Sequence, residues 1–87
     1  MNGGAMGTGV TEIESRVKKV IANILMIDEG TISNNSTIAE LGGDSLAALG
    51  ILSALEQEFD IRISDADAAK ISSCGTAIEV VNKILTS

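Results

Sequence analysis

Apolar residues in the first third of the sequence recur every three to four positions, the spacing that places them on one face of an α-helix. The stripe consists of Ile13, Val17, Val20, Ile21, Ile24 and Leu25. Thr11 and Glu14 have the spacing of a capping box, in which each side chain accepts a hydrogen bond from the other residue's backbone N–H. We therefore predict a helix that begins at Thr11 and buries this stripe.

The periodicity disappears from about Ile27 to Gly43, where glycine, serine and asparagine predominate. This composition predicts a long loop, and loops of this length tend to be functional. The isolated apolar residues Ile32, Ile38 and Leu41 are expected to hold the loop against the core by burying their side chains.

A second helix is predicted from Asp44, a favourable N-cap residue, to about Phe59. One of its faces has the spacing of a core stripe, formed by Ala48, Ile51, Leu52, Leu55 and Phe59. Another face carries Leu46 and Leu49 with Ser53. A domain of this size has a single core, so this second apolar face has no core of its own to pack against. This second strip is either an exposed docking surface or is covered by the preceding loop, and the sequence leaves both open.

The last third of the sequence predicts one short helix and one long helix. Ser64 precedes an acidic first turn and Lys70 ends the segment, a pattern typical of one or two helical turns. A final helix is predicted from about Ser73 to Leu85, with Ile78, Val81, Ile84 and Leu85 facing inward. The alternating residues 61–63 are too few to form a strand.

The predicted fold class is all-α, a small four-helix bundle of three principal helices and one short helix, with a long loop between the first two. Residues 1–10 carry four of the nine glycines and no charge. That composition is typical of a flexible linker or a cloning remnant. The folded domain is therefore expected to span residues 11–87.

The composition excludes several classes of function. With a net charge of −6 and 1% aromatic residues, the chain neither attracts nucleic acid nor offers rings for base stacking. It has no histidine, which removes Ser-His-Asp and Cys-His catalysis and the commonest transition-metal ligand. Asp60, Asp65 and Asp67 lack the pattern of a calcium-binding loop. We expect no enzyme activity, no catalytic residue and no metal site.

The cysteine content and hydropathy indicate where the protein works. Cys74 is the only cysteine, so no intramolecular disulfide can form, and it is predicted to be a small buried apolar residue rather than a reactive thiol. No apolar run approaches the roughly 18 residues that span a bilayer, and the N-terminus has no secretion-signal pattern. We expect a cytoplasmic protein without stable membrane insertion.

The segment LGGDSL, residues 41–46, carries the candidate chemistry. Its two glycines permit a sharp turn, Asp44 can cap the helix, and Ser45 then lies in the first helical turn with its hydroxyl toward solvent. Unpaired N–H groups and the positive end of the helix dipole favour an anion at this point. A phosphodiester on Ser45 would therefore lie in a compatible field.

Together with the stretches 53–65 and 70–78, this motif makes residues 11–85 resemble the acyl carrier protein family. The resemblance implies that Ser45 carries 4′-phosphopantetheine and that Asp44 belongs to the motif. It implies a phosphopantetheinyl transferase, with Mg²⁺ in its own site, that transfers the group from coenzyme A. The terminal thiol would hold acyl groups as thioesters for acyl-loading and acyl-transferring synthase enzymes, at a raised local concentration. We expect the carrier to be a monomer.

The implied function is delivery of acyl intermediates in fatty acid, specialised lipid or polyketide biosynthesis. The motif is also similar to that of peptidyl and aryl carriers of nonribosomal pathways, which stays an alternative. A second alternative is a non-catalytic helical interaction module that docks through Leu46 and Leu49. The GDSL esterases share four letters of the motif but need a histidine base and a larger α/β scaffold, which this chain does not supply.

Many carriers of fatty acid synthesis have acidic residues directly after the modified serine, whereas this sequence has none between Ser45 and Glu56. Docking of partner enzymes is therefore expected to depend less on charge. The predicted docking residues are Leu46, Leu49 and Glu56, together with Asp44.

Overall fold

The computed structural model describes residues 10–86, which form four α-helices: α1 (Val10–Leu25), α2 (Ser45–Phe59), α3 (Asp65–Ala68) and α4 (Cys74–Thr86). α1 packs against both α2 and α4, and α3 is a single turn in the connection between α2 and α4. Within these residues no β-strand forms, and an isolated antiparallel bridge joins Thr37 to Ser73. The predicted all-α fold is confirmed.

The start of α1 differs from the prediction by one residue. Val10 is already helical, and the rest of the segment predicted over residues 1–10 lies outside the described residues. Thr11 thus lies one residue inside the helix, and its predicted capping box with Glu14 stays a prediction. The Glu14 carboxylate accepts a 3.4 Å hydrogen bond from the Asn34 side chain.

An aliphatic core lies between α1, α2 and α4. Its most deeply buried residues are Ile13, Val17, Ile21, Ile51, Leu55, Cys74, Ala77 and Val81. The prediction that Ile24 and Leu85 face inward is wrong, since their side chains are 37% and 40% exposed. Ile24 packs toward Gly50 of α2, which has no side chain to cover it. Leu85 lies in the last turn of α4, where fewer neighbours surround a side chain.

The loop between α1 and α2 is held by buried apolar side chains and by backbone hydrogen bonds to residues 72–75. Its apolar residues Ile32 and Ile38 are buried and Leu41 packs against the core, as predicted. A capping-box pair occurs within the loop, because Thr37 and Glu40 exchange two 3.0 Å hydrogen bonds between side-chain oxygens and backbone N–H groups. Three backbone bonds attach the loop to the start of α4 and the residues before it: Ile38 N–H to the Ser72 carbonyl (3.0 Å), Cys74 N–H to Ser36 (3.0 Å) and Gly75 N–H to Asn34 (2.8 Å).

Both long helices before α3 end on a left-handed residue that is not glycine. Met26 has φ 59° and Asp60 has φ 56°. The N–H of the residue after each returns to a carbonyl of the last helical turn, on Ala22 and Glu56, both at 3.0 Å. This is the geometry of a Schellman motif, in which glycine is the usual occupant.

Arg16 of α1 clamps the C-terminal end of α2. Its Nε donates to Glu58 Oε2 at 2.8 Å and its Nη2 donates to the Glu58 carbonyl at 2.7 Å. The guanidinium carbon also lies 4.4 Å from the centre of the Phe59 ring. One side chain thus satisfies a carbonyl at a helix end, pairs with a carboxylate and covers an aromatic face.

The short helix α3 is capped as predicted, because Ser64 Oγ accepts a 3.1 Å hydrogen bond from the Asp67 N–H. Lys70 lies beyond the helix, not in its last turn. Asp67 joins α3 to α4 through a 3.1 Å ion pair with Lys83. The hydrogen bond from Lys83 lowers the pKa of the Asp67 carboxyl below its ordinary value.

Candidate functional site

The N-terminus of α2 is built by Asp44. Its backbone is extended, its Oδ1 accepts a 2.8 Å hydrogen bond from the Ala47 N–H, and its carbonyl accepts a 2.9 Å bond from the Ala48 N–H. The Asp44 side chain thus satisfies the Ala47 N–H, one of the N–H groups that the first turn leaves without a carbonyl partner, and the Ala48 N–H makes the first regular helical bond. The predicted N-cap is confirmed.

Ser45 is the first residue of α2, and it is exposed to solvent. The N–H groups of Ser45 and Leu46 belong to the first turn, where a helix offers no carbonyl partner of its own. α2 is 15 residues long, so its aligned peptide dipoles place a partial positive charge at this end. An anionic group bound to the Ser45 hydroxyl would be stabilised by these N–H groups and by the partial positive charge of the helix end.

The turn before Asp44 depends on two glycines for different reasons. Gly42 has φ +95°, a conformation that side-chain-bearing residues rarely adopt. Gly43 is required by close approach, since a Cβ at this position would lie 2.5 Å from Ile38 Cγ2 and 3.2 Å from Leu25 Cδ2. The Gly43 N–H also donates to the Ile38 carbonyl at 2.8 Å. The turn is therefore packed directly against the loop and the end of α1.

The second apolar strip of α2 is exposed. Leu46 and Leu49 are 77% and 61% accessible to solvent, and Ser53 is exposed beside them. Of the two interpretations that the sequence leaves open, covering by the loop is therefore wrong. The strip begins one residue after Ser45.

Glu56, a predicted docking residue, lies at the far end of α2 from Ser45 and is partly buried. Its Oε2 accepts a 2.9 Å hydrogen bond from the Ile63 N–H. One oxygen of the carboxylate thus stabilises the segment that leads from α2 to α3. Leu46 and Leu49 carry no such internal role.

Sequence reasoning missed two exposed apolar residues near this site. The apolar spacing predicts Ile24 in the core stripe of α1, and it does not single out Met26, which is 89% exposed. The turn that places Met26 outside the helix contains no glycine, so the sequence gives no signal of a helix end there. The absence of charged residues over positions 45–55 indicates that the exposed face of α2 beside Ser45 is uncharged.

Cys74 is fully buried, as predicted. Burial raises the pKa of its thiol, which keeps the sulfur protonated and unreactive. Among residues 10–86 no group of three or more acidic or cysteine side chains could hold a metal ion. In the same part of the chain no helix is long and apolar enough to cross a membrane.

A comparison with protein families finds one that fits this geometry. The family model described as a phosphopantetheine attachment site matches residues 15–82, which is well over half of the chain and includes the whole of α2. Proteins of this family carry covalently attached 4′-phosphopantetheine. The exposed first-turn hydroxyl and the two unpaired N–H groups of α2 fit the phosphodiester of that group. The chain belongs to the family of carrier proteins that bear a phosphopantetheine attachment site.

Proposed function

We propose that the protein is an acyl carrier protein with Ser45 as the attachment residue. It would hold acyl intermediates as thioesters and deliver them to enzymes of fatty acid, specialised lipid or polyketide biosynthesis. The observation that carries this proposal is the exposed Ser45 hydroxyl at the capped, electropositive start of α2.

Among the described residues, none around Ser45 supplies a base that would activate its hydroxyl. Asp44 Oδ1 is engaged by the Ala47 N–H, and the whole chain contains no histidine. The base that removes the hydroxyl proton would therefore come from the phosphopantetheinyl transferase, and the chain itself would be a substrate rather than an enzyme. When bound, 4′-phosphopantetheine supplies the terminal thiol that holds the acyl group.

The position of Ser45 also suits the product. The phosphodiester carries a negative charge, and the Ser45 and Leu46 N–H groups together with the α2 dipole favour that charge by about 0.3 to 1 kcal/mol at an exposed helix end. Asp44 accepts hydrogen bonds from the Ala47 and Ala48 N–H groups. The Ser45 and Leu46 N–H groups are therefore left to bind the phosphate. The arm would leave the protein surface without displacing any bond of the fold.

Leu46 and Leu49 are proposed to contact the partner enzymes, with Asp44 at the edge of the contact. Both leucines lie on the face of α2 opposite the buried Ile51 and Leu55. Any enzyme that receives Ser45 in its active site comes close to this face. Glu56 is proposed to contribute at the far end of α2 through the carboxylate oxygen that Ile63 does not use.

The attachment proposal is tested by loading the purified chain with coenzyme A and a broad-specificity phosphopantetheinyl transferase, followed by intact mass measurement. The wild type is expected to gain one phosphopantetheine. Ser45→Ala is expected to gain none, while Ser53→Ala, which changes an exposed serine on the same helix, is expected to load normally. An unchanged wild-type mass, or a mass gain that survives in Ser45→Ala, would contradict the proposal.

A further inference from the structure

The N-terminus of α4 is bound by the loop between α1 and α2. The Cys74 N–H donates to the Ser36 carbonyl at 3.0 Å, and the Gly75 N–H donates to the Asn34 carbonyl at 2.8 Å. Both N–H groups belong to the first turn, where a helix has no carbonyl partner of its own. The start of α4 therefore holds two carbonyls of the loop whose last residues lead to Ser45.

Ser73 and Thr76 complete this helix end as a capping box. Ser73 Oγ accepts a 3.2 Å hydrogen bond from the Thr76 N–H, and Thr76 Oγ1 accepts a 2.9 Å bond from the Ser73 N–H. Threonine takes the place of the glutamate or glutamine that is usual at this position. The Thr76 hydroxyl also accepts a 2.9 Å bond from the Ser72 N–H and donates to the Ser73 carbonyl at 2.9 Å. This half-buried hydroxyl is therefore held by several bonds at once.

The peptide unit between Ser72 and Ser73 is bound at both of its ends. Its N–H is the Ser73 N–H that donates to Thr76 Oγ1. Its carbonyl is the Ser72 carbonyl that accepts the Ile38 N–H at 3.0 Å. Because a peptide unit is planar, turning its N–H away from Thr76 also turns its carbonyl away from Ile38. The Thr76 hydroxyl thus orients the acceptor to which Ile38 is bonded.

Ile38 connects this peptide unit to the turn before α2. Its carbonyl accepts the Gly43 N–H at 2.8 Å, and its buried side chain lies so close that a Cβ at Gly43 would be 2.5 Å from Ile38 Cγ2. Gly43 directly precedes Asp44, which caps α2 and is followed by Ser45. Main-chain and side-chain contacts of one residue therefore fix the turn that ends at the attachment site.

We propose that Thr76 is a positioning residue for Ser45. Its hydroxyl holds the peptide unit between Ser72 and Ser73, that unit holds Ile38, and Ile38 holds the turn that presents the Ser45 hydroxyl to the transferase. The inference rests on the proposed function. It adds to the attachment site a residue of α4 that acts through the loop.

Removal of the Thr76 hydroxyl deprives the Ser72 and Ser73 N–H groups of their acceptor. We call the turn closed when Ile38 is bonded to Ser72 and open when that bond is broken. Each net hydrogen bond favours the closed turn about fivefold, so the loss of two raises the ratio of open to closed about 25-fold. A transferase that recognises the closed turn then binds with an affinity reduced by the closed fraction. The expected change is therefore in KM rather than in kcat.

The first test compares Thr76→Val, which removes the hydroxyl at nearly constant volume, with Thr76→Ser, which keeps it. Amide hydrogen exchange of the purified protein, followed by NMR, is expected to be about 25-fold faster at Gly43 in Thr76→Val and close to wild type in Thr76→Ser. The Ile61 N–H, bonded to the Glu56 carbonyl at the far end of α2, is the reference and should exchange at its wild-type rate.

The second test measures the transferase reaction with coenzyme A saturating. The KM of Thr76→Val should rise about threefold, which corresponds to a closed fraction of about one third of the wild-type value, with kcat little changed. Thr76→Ser should restore the KM. Ser64→Ala is the matched control, since it removes the hydroxyl that caps α3 by accepting the Asp67 N–H, and it should leave the KM and the Gly43 exchange rate unchanged.

Gly75→Ala loosens the same attachment by a different contact and carries the test if Thr76→Val does not fold. A Cβ at position 75 would lie 2.8 Å from the Asn34 carbonyl oxygen, so the loop must move, whereas alanine itself favours the helix. This variant should raise the KM and speed Gly43 exchange in the same direction.

A wild-type KM in both Thr76→Val and Gly75→Ala would overturn the proposal. Exchange that accelerates equally at Gly43 and Ile61 would also overturn it, because the hydroxyl would then support the fold as a whole. If the wild type is not loaded at Ser45 at all, the proposed function fails instead, so the two failures are distinguishable.

Discussion

The close packing of Gly43 predicts that Gly43→Ala destabilises the protein. A Cβ there would lie 2.5 Å from Ile38 Cγ2 and 3.1 Å from the Ile38 carbonyl oxygen. Ile38 is buried and β-branched, so its side chain has little freedom to turn away. The carbonyl is also the acceptor of the Gly43 N–H, so moving the two segments apart weakens that 2.8 Å bond.

The size of the effect follows from these contacts. Over-packing a well-filled site costs about 1 to 3 kcal/mol, and a weakened backbone hydrogen bond adds about 1 kcal/mol. We expect Gly43→Ala to lower the free energy of unfolding by about 2 to 3 kcal/mol. For a domain of this size that corresponds to a fall in Tm of about 10 °C or more.

The matched control is Gly50→Ala, at a half-buried position of α2 that faces Ile24 of α1. A Cβ at position 50 would lie 3.5 Å from Ile24 Cγ2, which is ordinary contact. Because alanine is favoured over glycine in a helix interior by about 1 kcal/mol, this variant is expected to be more stable than wild type. Urea unfolding of the three proteins measures the difference. A Gly43→Ala variant as stable as wild type would refute the reasoning that Ile38 holds the turn in place.

Two further predictions concern contacts between helices. Arg16→Met is expected to lose about 1 to 2 kcal/mol in urea unfolding, because the Glu58 carbonyl and carboxylate lose a donor and the Phe59 ring loses its cation. Arg16→Lys should retain less than half of the stability that Arg16→Met loses. An Arg16→Met variant as stable as wild type would contradict the view that Arg16 stabilises the end of α2. For Asp67, whose pKa is lowered chiefly by the Lys83 hydrogen bond, the stabilisation is present above the ordinary pKa of 3.8 and is lost as pH falls through the lower folded value. Wild type should therefore be more stable than Lys83→Met at neutral pH, and a difference that persists unchanged in strong acid would contradict this.

Elements that depend on nearby residues were predictable from the sequence. The start of α2 follows from Asp44, whose side chain bonds the backbone three residues ahead. The core face of α1 follows from its periodicity, and the anchoring of the loop follows from isolated apolar residues that had to be buried. In each case the deciding interaction is local or is a simple matter of burial.

Features that depend on residues distant in sequence were not predictable. The pairing of Arg16 with Glu58 spans 42 residues, and the reason for Gly43 lies in the position of Ile38 after folding. The left-handed ends at Met26 and Asp60 carry no glycine signal. The apolar period alone could not show which residues at the edge of a stripe are left exposed, because this depends on the neighbouring helix.

The position of Ser45 depends on residues that follow it by almost 30 places. The Ser72 carbonyl accepts the Ile38 N–H, and the Ile38 carbonyl accepts the Gly43 N–H directly before the Asp44 cap. Each backbone bond contributes only about 1 kcal/mol, but together they connect the residues just before α4 to the first turn of α2. The loop can therefore be long and rich in glycine and serine while its last residues stay in a defined place. A carrier needs this arrangement because the transferase must find the hydroxyl in one place and each later enzyme must find the arm attached at that same point, while the surface beside Ser45 stays open to each partner.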